Sequence, residues 1–151
     1  MRVAERIEIA APASRVWAEV SDPSRAPQFM AGITRWEVAG PARTGLGARY
    51  RMLLRVGAAD VGGLIEVVEY LPEQELAWTS VTGVDQRGRW RLREQPGGCT
   101  EVELRLQYGV AGSGISGWLA EHLAAPTVRG HVRRTLRQLK RAVEHEQLRA
   151  W

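Results

Sequence analysis

Residues 10–22 read AAPASRVWAEVSD and are followed directly by Pro23. Pro12 suits the first turn of a helix, where its missing N–H leaves no helical hydrogen bond unmade. An apolar patch at helical spacing follows, formed by Val16, Trp17 and Val20. The residue before a proline avoids the α region, so this helix should end at position 22. The stretch therefore predicts one short, tryptophan-bearing helix in a chain otherwise rich in strands.

Alternating apolar and polar residues predict strands on both sides of this helix. Residues 3–10 alternate with a period of two, and a second short helix is expected from Pro23 to about Phe29. Further strands are predicted at residues 33–39, 47–56, 61–71, 74–82, 87–95 and 100–109. The connections between them are too short for crossover helices, so neighbouring strands should pair antiparallel.

The last third of the chain is predicted to be helical. Ser113 is a candidate N-cap, and Pro126 should kink or restart the helix. An apolar stripe recurs at steps of four, four, three and four, in the order Val128, Val132, Leu136, Leu139 and Val143. From Pro126 to Leu148 the helix would be about 34 Å long, enough to cross a whole sheet. The basic residues expected on the opposite side are Arg129, Arg133, Arg134, Arg137, Lys140 and Arg141.

The predicted strands have one apolar face and one arginine-rich face that meets water. The apolar sets are Thr100, Val102, Leu104, Leu106 and Tyr108; Trp90 and Leu92; and Tyr50, Met52, Leu54 and Val56. A sheet of this many strands must twist and curl, and one helix is too narrow to fill its concave side. Bulky side chains could fill the remaining space, or a cavity could remain. We expect the first short helix to close one seam of the curled sheet through Trp17.

Three segments resemble the START-like helix-grip (SRPBCC) superfamily, and within it the polyketide cyclase/dehydrase branch. They are IEIAAPASRVWAEVSDPSRAPQF at residues 7–29, VVEYLPEQELAWTS at 67–80 and CTEVELRLQYGVAG at 99–112. The resemblance implies a single α+β domain over residues 1–151. In it, a curved antiparallel sheet of about six to seven strands wraps around a long C-terminal helix, with two short helices after the first strand. It also implies a deep apolar cavity that binds lipids, sterols, polyketides or hormones, where some members catalyse cyclisation or dehydration.

Inward-facing aromatic residues make the interior the candidate ligand site. The chain has six tryptophans against one phenylalanine, and large rings with one polar group each suit a flat, partly polar ligand. The alternative is that these rings fill the core. Thr135 lies at the margin of the helical stripe and could offer its hydroxyl to a ligand or to the backbone. The candidate cavity residues are Trp36, Tyr50, Met52, Leu54, Trp78, Ser80, Trp90, Leu104, Leu106, Tyr108, Leu119, His122, Val132, Thr135 and Leu136.

Tyr108 and His122 are the candidate catalytic residues. On a helical wheel His122 falls inside the apolar stripe of Ile115, Leu119 and Leu123, so it should face inward. A phenol or a titrating imidazole in an apolar cavity can polarise a carbonyl or move a proton. The alternative is that the histidine is simply hydrogen-bonded in the core.

Other patterns argue against several classes of function. The net charge of +4 permits a nucleic-acid or anionic-membrane partner, but glutamates are available to interleave with the arginines, and the aromatic residues lie on the other face. GSGISG at residues 112–117 has the spacing of a dinucleotide-binding turn but lacks the following strand that such a site needs. The histidines lack the spacing of metal ligands. We therefore expect no metal and no cofactor, and the pattern favours a solvated charged face over a surface that binds nucleic acid or an anionic membrane.

Three functions remain open from the sequence. The first is a polyketide cyclase/dehydrase-like protein that binds a polyketide-, lipid- or quinone-like molecule. The second is a non-catalytic carrier or sequestering protein for a lipid or natural product, and the third is a basic-surface adaptor. Charges interrupt the first residues, unlike a secretory signal, and no apolar run approaches a membrane span. We expect a cytoplasmic protein that is a monomer or a homodimer.

Overall fold

The structure, a computed structural model, describes residues 2–108 and 114–149, with side chains for residues 2–108 and 126–146. The strands are β1 (Arg2–Ile9), β2 (Ile33–Val38), β3 (Arg49–Val56), β4 (Ala59–Leu71), β5 (Glu75–Ser80), β6 (Gln86–Gln95) and β7 (Cys99–Tyr108). The helices are α1 (Ala13–Val20), α2 (Ala26–Phe29) and α3 (Gly114–Arg149). The predicted order of helices and strands is confirmed.

The described strands form one curled antiparallel sheet in the order β1-β7-β6-β5-β4-β3-β2. β1 and β2 therefore lie at opposite edges, although only the two short helices separate them in sequence. This explains why a helix interrupts the strands: α1 and α2 carry the chain from one edge of the sheet to the other. The start of α1 is anchored by the backbone N–H of Ala13, which donates to Oε1 of Glu94 at 3.0 Å.

Two irregularities in strand pairing adjust the curl of the sheet. The register shifts between Val67 and Glu69 on β4, and between Ile33 and Arg35 on β2. A bulge of this kind adds one residue on one strand and increases the local bend and twist. On β4 it turns Val68 to the outside, where the side chain is exposed.

The long helix α3 packs mainly against β1, and also touches α1, α2, β3 and β7. The predicted apolar stripe is buried at all five positions: Val128, Val132, Leu136, Leu139 and Val143. The helix continues through Pro126, so the alternative of a restart there is wrong. A proline removes one backbone hydrogen bond, and the bonds of the turns on either side keep this helix continuous.

Two of the basic residues predicted on the solvent side of α3 also contact the edge strand β1. Arg133 Nε donates to Oε1 of Glu5 at 3.0 Å, and Lys140 Nζ donates to the carbonyl oxygen of Glu8 at 2.7 Å. Long side chains on the flank of a buried stripe can reach the neighbouring edge strand while their charged ends stay in water. In this way the flank of α3 is joined to the exposed edge of β1.

The inner face of the sheet, together with the three helices, forms the core. Trp17 of α1 packs edge-on against Tyr70 of β4, with ring centroids 5.3 Å apart. Phe29 of α2 packs edge-on against Trp90 of β6 at 6.1 Å. The short helices therefore cover the part of the inner face that α3 leaves open. Among the described residues, no helix has an apolar stretch long enough to cross a bilayer.

Candidate functional site

The aromatic residues predicted to face inward do so, and the described part of the chain encloses two small cavities that they line. The first, which we call the α2 cavity, lies below α2 and includes four predicted residues: Trp36, Tyr50, Trp78 and Trp90. The second, the α3 cavity, lies beside α3 and includes eight predicted residues: Met52, Leu54, Trp78, Leu104, Leu106, Tyr108, Val132 and Thr135. Trp78 borders both cavities.

In the α2 cavity, the polar groups of two rings are already used by the protein. Trp36 and Tyr50 stack with centroids 4.8 Å apart and planes 19° from parallel. The indole Nε1 of Trp36 donates to the carbonyl oxygen of Pro23 at 2.9 Å, and the Tyr50 hydroxyl donates to that of Arg43 at 2.7 Å. Burial raises the pKa of Tyr50. These two rings therefore present apolar surface to the cavity.

The α3 cavity has three polar side chains in its wall: Tyr108, His131 and Thr135. Thr135 Oγ1 accepts a hydrogen bond from the backbone N–H of Ala31 at 2.8 Å, so the backbone role expected for this hydroxyl is observed. His131 Nε2 lies 2.9 Å from the carbonyl oxygen of Arg55, so this nitrogen carries a proton and donates. Burial raises the pKa of Tyr108 to about 12, which keeps its phenol protonated at neutral pH.

Among the described side chains, two buried polar atoms on the inner face have no hydrogen-bond partner. They are the indole Nε1 of Trp78 and Oε1 of Gln86, in residues that are 5% and 2% exposed. Trp78 lies opposite Gly88 on the neighbouring strand, and a Cβ at Gly88 would overlap its ring. The glycine therefore lets the indole lie flat across β6, between the two cavities.

The two cavities are smaller than the hollow that the resemblance implies. Each has a volume of ≈ 30 Å³, which is room for about one or two water molecules, whereas pockets for drug-sized ligands measure roughly 300–1,000 Å³. The described side chains, above all Trp78 and Trp90 with Phe29 of α2, occupy the space between sheet and helices. A ligand of that size needs some of these side chains to move.

A larger groove, of ≈ 480 Å³, lies on the outer face of the sheet and is lined partly by arginines. Two of these four arginines, Arg89 and Arg105, pair with glutamates, as the interleaved glutamates predicted. Arg89 donates to Glu69 at 2.6 Å and to Glu75 at 2.8 Å, and Arg105 donates to Glu103 at 2.9 Å. The outer face is thus a network of alternating charges.

Several predicted residues lie away from the two cavities or outside the described residues. Leu136 is buried in the core, and Ser80 accepts a hydrogen bond from the backbone N–H of Gln86 at 3.1 Å. The side chains of Leu119 and His122 lie outside the described residues, as do residues 112 and 113 of the GSGISG segment, including the predicted N-cap Ser113. The roles assigned to Tyr108 and His122 as a catalytic pair therefore stay a prediction.

Four residues of the α3 cavity wall were not predicted from the sequence: Met30, Ala31, Ile33 and His131. Met30 directly follows α2 and borders both cavities. His131 precedes the stripe residue Val132 and lies one turn before Thr135, and this flanking position was the available signal. Among the side chains that the structure describes, no three His, Cys, Asp or Glu residues are grouped to hold a metal ion.

Several solved structures share this architecture. The protein TTHA0849 from Thermus thermophilus superposes with a TM-score of 0.81 at 24% identity, over 97% of this chain and 99% of that one. The ZhuI aromatase/cyclase from Streptomyces sp. R1128 superposes with a TM-score of 0.77 at 18% identity, over 95% and 93%. The KanY protein gives 0.76 at 18% identity, over 95% and 97%. At these identities the similarity establishes the helix-grip fold.

Sequence comparison identifies the family. The protein Rv0088 of Mycobacterium tuberculosis is 26% identical over 113 residues, which are 74% of this chain and 50% of the relative, so the chain spans about half the length of that relative. The model of the family described as polyketide cyclase/dehydrase and lipid transport matches residues 1–144. The match extends from β1 into the last turns of α3 and includes both cavities. The chain therefore belongs to the polyketide cyclase/dehydrase and lipid transport family.

Proposed function

We propose that this protein binds a hydrophobic small molecule, polyketide-, lipid- or quinone-like, between the inner face of the sheet and α3. The observation that carries the proposal is the composition of the α3 cavity wall. It combines two flexible methionines, Met30 and Met52, with the large ring of Trp78 and the hydroxyl groups of Tyr108 and Thr135. An apolar wall with a few polar groups is typical of small-molecule sites. Family membership supports the same interpretation.

Binding requires side chains to move, because each of these cavities is at least about ten times smaller than a ligand site. Trp78 and Met30 border both cavities, so displacement of these side chains would join the two. Met30 and Met52 border the α3 cavity, and methionine adapts its shape at low cost because it is unbranched. The ligand would therefore occupy space that the free protein fills with its own rings.

The test is a titration with 2-methylnaphthalene, followed by tryptophan fluorescence and by NMR, in wild type and two matched variants. Leu106→Trp adds an indole to the α3 cavity wall, and Leu46→Trp adds the same indole at a loop position that is 69% exposed. We expect Leu106→Trp to weaken binding at least tenfold and Leu46→Trp to leave it unchanged. Equal affinities in all three proteins, or no saturable binding in wild type, would contradict the proposal.

Native mass spectrometry of protein purified from its own host gives an independent readout. A co-purifying small molecule would identify the ligand class directly. We expect the mass of the adduct to disappear in Leu106→Trp and to persist in Leu46→Trp. An adduct that is equally abundant in both variants would place it outside the α3 cavity.

A second candidate function, cyclase-like catalysis, is favoured by Tyr108. With its pKa raised to about 12 by burial, the phenol acts as a hydrogen-bond donor and not as a base at neutral pH. Such a donor can stabilise negative charge that develops on a ligand carbonyl oxygen, while the cavity orients the reacting chain. Tyr108→Phe and His122→Ala should each lower turnover of a linear polyketide roughly 100-fold. Unchanged turnover in both variants would favour the non-catalytic carrier.

A further inference from the structure

Two complementary polar atoms on the inner face are left unpaired by the described part of the chain. Trp78 Nε1 is a donor and Gln86 Oε1 is an acceptor, and neither has a hydrogen-bond partner there. Buried polar groups are paired in the great majority of cases because an unpaired one loses its hydrogen bond to water without replacement. Each exception therefore calls for a physical reason.

The register of the strands places these two residues side by side. Gln86 and Gly88 are two positions apart on β6 and so point to the same face. Trp78 lies opposite Gly88, and its ring extends over that glycine. Tyr108 lies opposite Gln86 on the other side of β6. Gln86 is therefore a cross-strand neighbour of Tyr108 and a diagonal neighbour of Trp78, and both of these residues line the α3 cavity.

The neighbouring polar side chains on the inner face make hydrogen bonds within the protein. Trp78 and Gln86 differ from them in this respect. Ser80 Oγ accepts from the backbone N–H of Gln86, and Thr135 Oγ1 accepts from that of Ala31. Trp36, on the same face, donates its indole N–H to a backbone carbonyl. Among the described side chains, the unmade bonds are therefore specific to Trp78 and Gln86, and they supply one donor and one acceptor.

We propose that Trp78 Nε1 and Gln86 Oε1 form a polar subsite that binds a hydroxyl group of the hydrophobic ligand. This inference rests on the proposed function and names the chemical class of its ligand. A hydroxyl oxygen accepts from the indole N–H, and the hydroxyl proton is donated to the amide oxygen. The oxygen of an ether or ketone accepts from Trp78 Nε1 but has no proton to donate to Gln86 Oε1. A carboxylate is disfavoured because its oxygens would face the acceptor oxygen of Gln86 without a proton between them. The subsite thus selects phenols and alcohols.

Three probes of the same shape test the subsite: 2-naphthol, 2-methoxynaphthalene and 2-methylnaphthalene. The hydroxyl of 2-naphthol can both donate and accept a hydrogen bond. The ether oxygen of 2-methoxynaphthalene can only accept one, and the methyl group of 2-methylnaphthalene can do neither. The readout is the dissociation constant of 2-methylnaphthalene divided by that of 2-naphthol. Comparing this ratio between wild type and each variant cancels the different solubilities of the two probes. The variants are Trp78→Phe and Gln86→Leu, with Gln107→Leu as the matched control on the outer face of β7.

We expect Trp78→Phe and Gln86→Leu each to lower the ratio about fivefold, the effect of one lost hydrogen bond. Gln107→Leu should leave it unchanged. The affinity for 2-methoxynaphthalene should fall in Trp78→Phe and stay constant in Gln86→Leu. In ¹⁵N NMR spectra, the indole N–H signal that Trp78→Phe removes should move downfield with 2-naphthol and not with 2-methylnaphthalene.

The outcomes separate this inference from the proposed function. If 2-methylnaphthalene binds but the ratio is equal in wild type and both variants, the subsite is wrong and the hydrophobic site stands. A Trp78 signal that does not distinguish the probes leads to the same conclusion, as expected if buried water satisfies the pair. If no probe binds wild type, both proposals fail. Should Trp78→Phe not fold, the ratio in Gln86→Leu, compared with that in Gln107→Leu, still decides.

Discussion

The indole of Trp78 on β5 lies across Gly88, its opposite neighbour on β6, in the space that a side chain at position 88 would fill. Cross-strand neighbours share a face of the sheet, so the size of one residue decides how far the other can lean over it. Here the absence of a Cβ lets a large ring lie flat between the α2 and α3 cavities. This contact therefore sets both the shape of the interior and the position of the unpaired indole N–H.

Gly88→Ala should displace that ring and destabilise the protein. A Cβ at position 88 would overlap the indole, and such overpacking costs about 1–3 kcal/mol. Gly130→Ala on α3 is the matched control, because a Cβ there meets nothing within 4 Å and alanine favours a helix by roughly 0.5–1 kcal/mol. Urea unfolding should give changes of opposite sign, and two changes of the same sign would contradict this account of Gly88.

Thr135→Val should destabilise the junction between α2 and α3. The substitution keeps the shape of the side chain but removes the oxygen that accepts from Ala31 N–H at 2.8 Å, leaving that N–H buried and unpaired. The expected loss is about 1–3 kcal/mol in urea unfolding. Thr135→Ser retains the acceptor and should recover most of the hydrogen-bond energy. Equal losses in both variants would point to packing of the methyl group instead.

Stability at alkaline pH should depend on Tyr108. Its pKa is about 12 in the folded protein and 10.0 ordinarily, so the unfolded chain ionises first. The stabilisation by the neutral phenol is therefore fully present below about pH 10 and is lost as the pH rises toward about 12, by up to about 3 kcal/mol. Unfolding free energies measured between about pH 9 and about pH 11 should fall less steeply in Tyr108→Phe. Parallel pH profiles would contradict burial of this phenol.

Arg25 should stabilise the protein by compensating a buried carboxylate. Glu19 of α1 is 2% exposed and pairs with Arg25, which also donates to Glu146 of α3 at 2.9 Å. Arg25→Met leaves Glu19 without this charge, and we expect a loss of about 2 kcal/mol, less than for a fully buried pair because Arg25 is partly exposed. Urea unfolding of the variant and of wild type measures the difference.

The control for Arg25→Met is the same substitution at Arg35, an arginine whose carboxylate partner is exposed to solvent. Arg35 pairs with Glu37 at 3.0 Å, and both side chains are about half exposed, so Arg35→Met should cost under about 1 kcal/mol. Adding Glu19→Gln to Arg25→Met should restore part of the lost stability. If the double variant is no more stable than Arg25→Met, the carboxylate of Glu19 does not explain the effect.

The local features of this fold follow from the order of residues along the chain. The alternation in β3, β6 and β7 predicted which side chains face inward, because successive residues of a strand point to opposite faces whatever the strand pairs with. The valine-leucine stripe of α3 predicted its buried side in the same way. Met30 and His131 were missed because they flank these periodic patterns and reach the cavity wall through the packing of α2 and α3.

By itself, the sequence determined the order of strands and helices, the inner and outer faces of the sheet, and the family. Only the tertiary structure decided how the described part of the interior is filled: that Trp78 lies over Gly88, that the described residues line two cavities of ≈ 30 Å³, and that one of their indole N–H groups and one of their amide oxygens are unpaired. The physical reason is that periodicity is a property of neighbours in the chain. Free volume and hydrogen-bond pairing depend instead on side chains brought together from β5, β6, β7, α2 and α3.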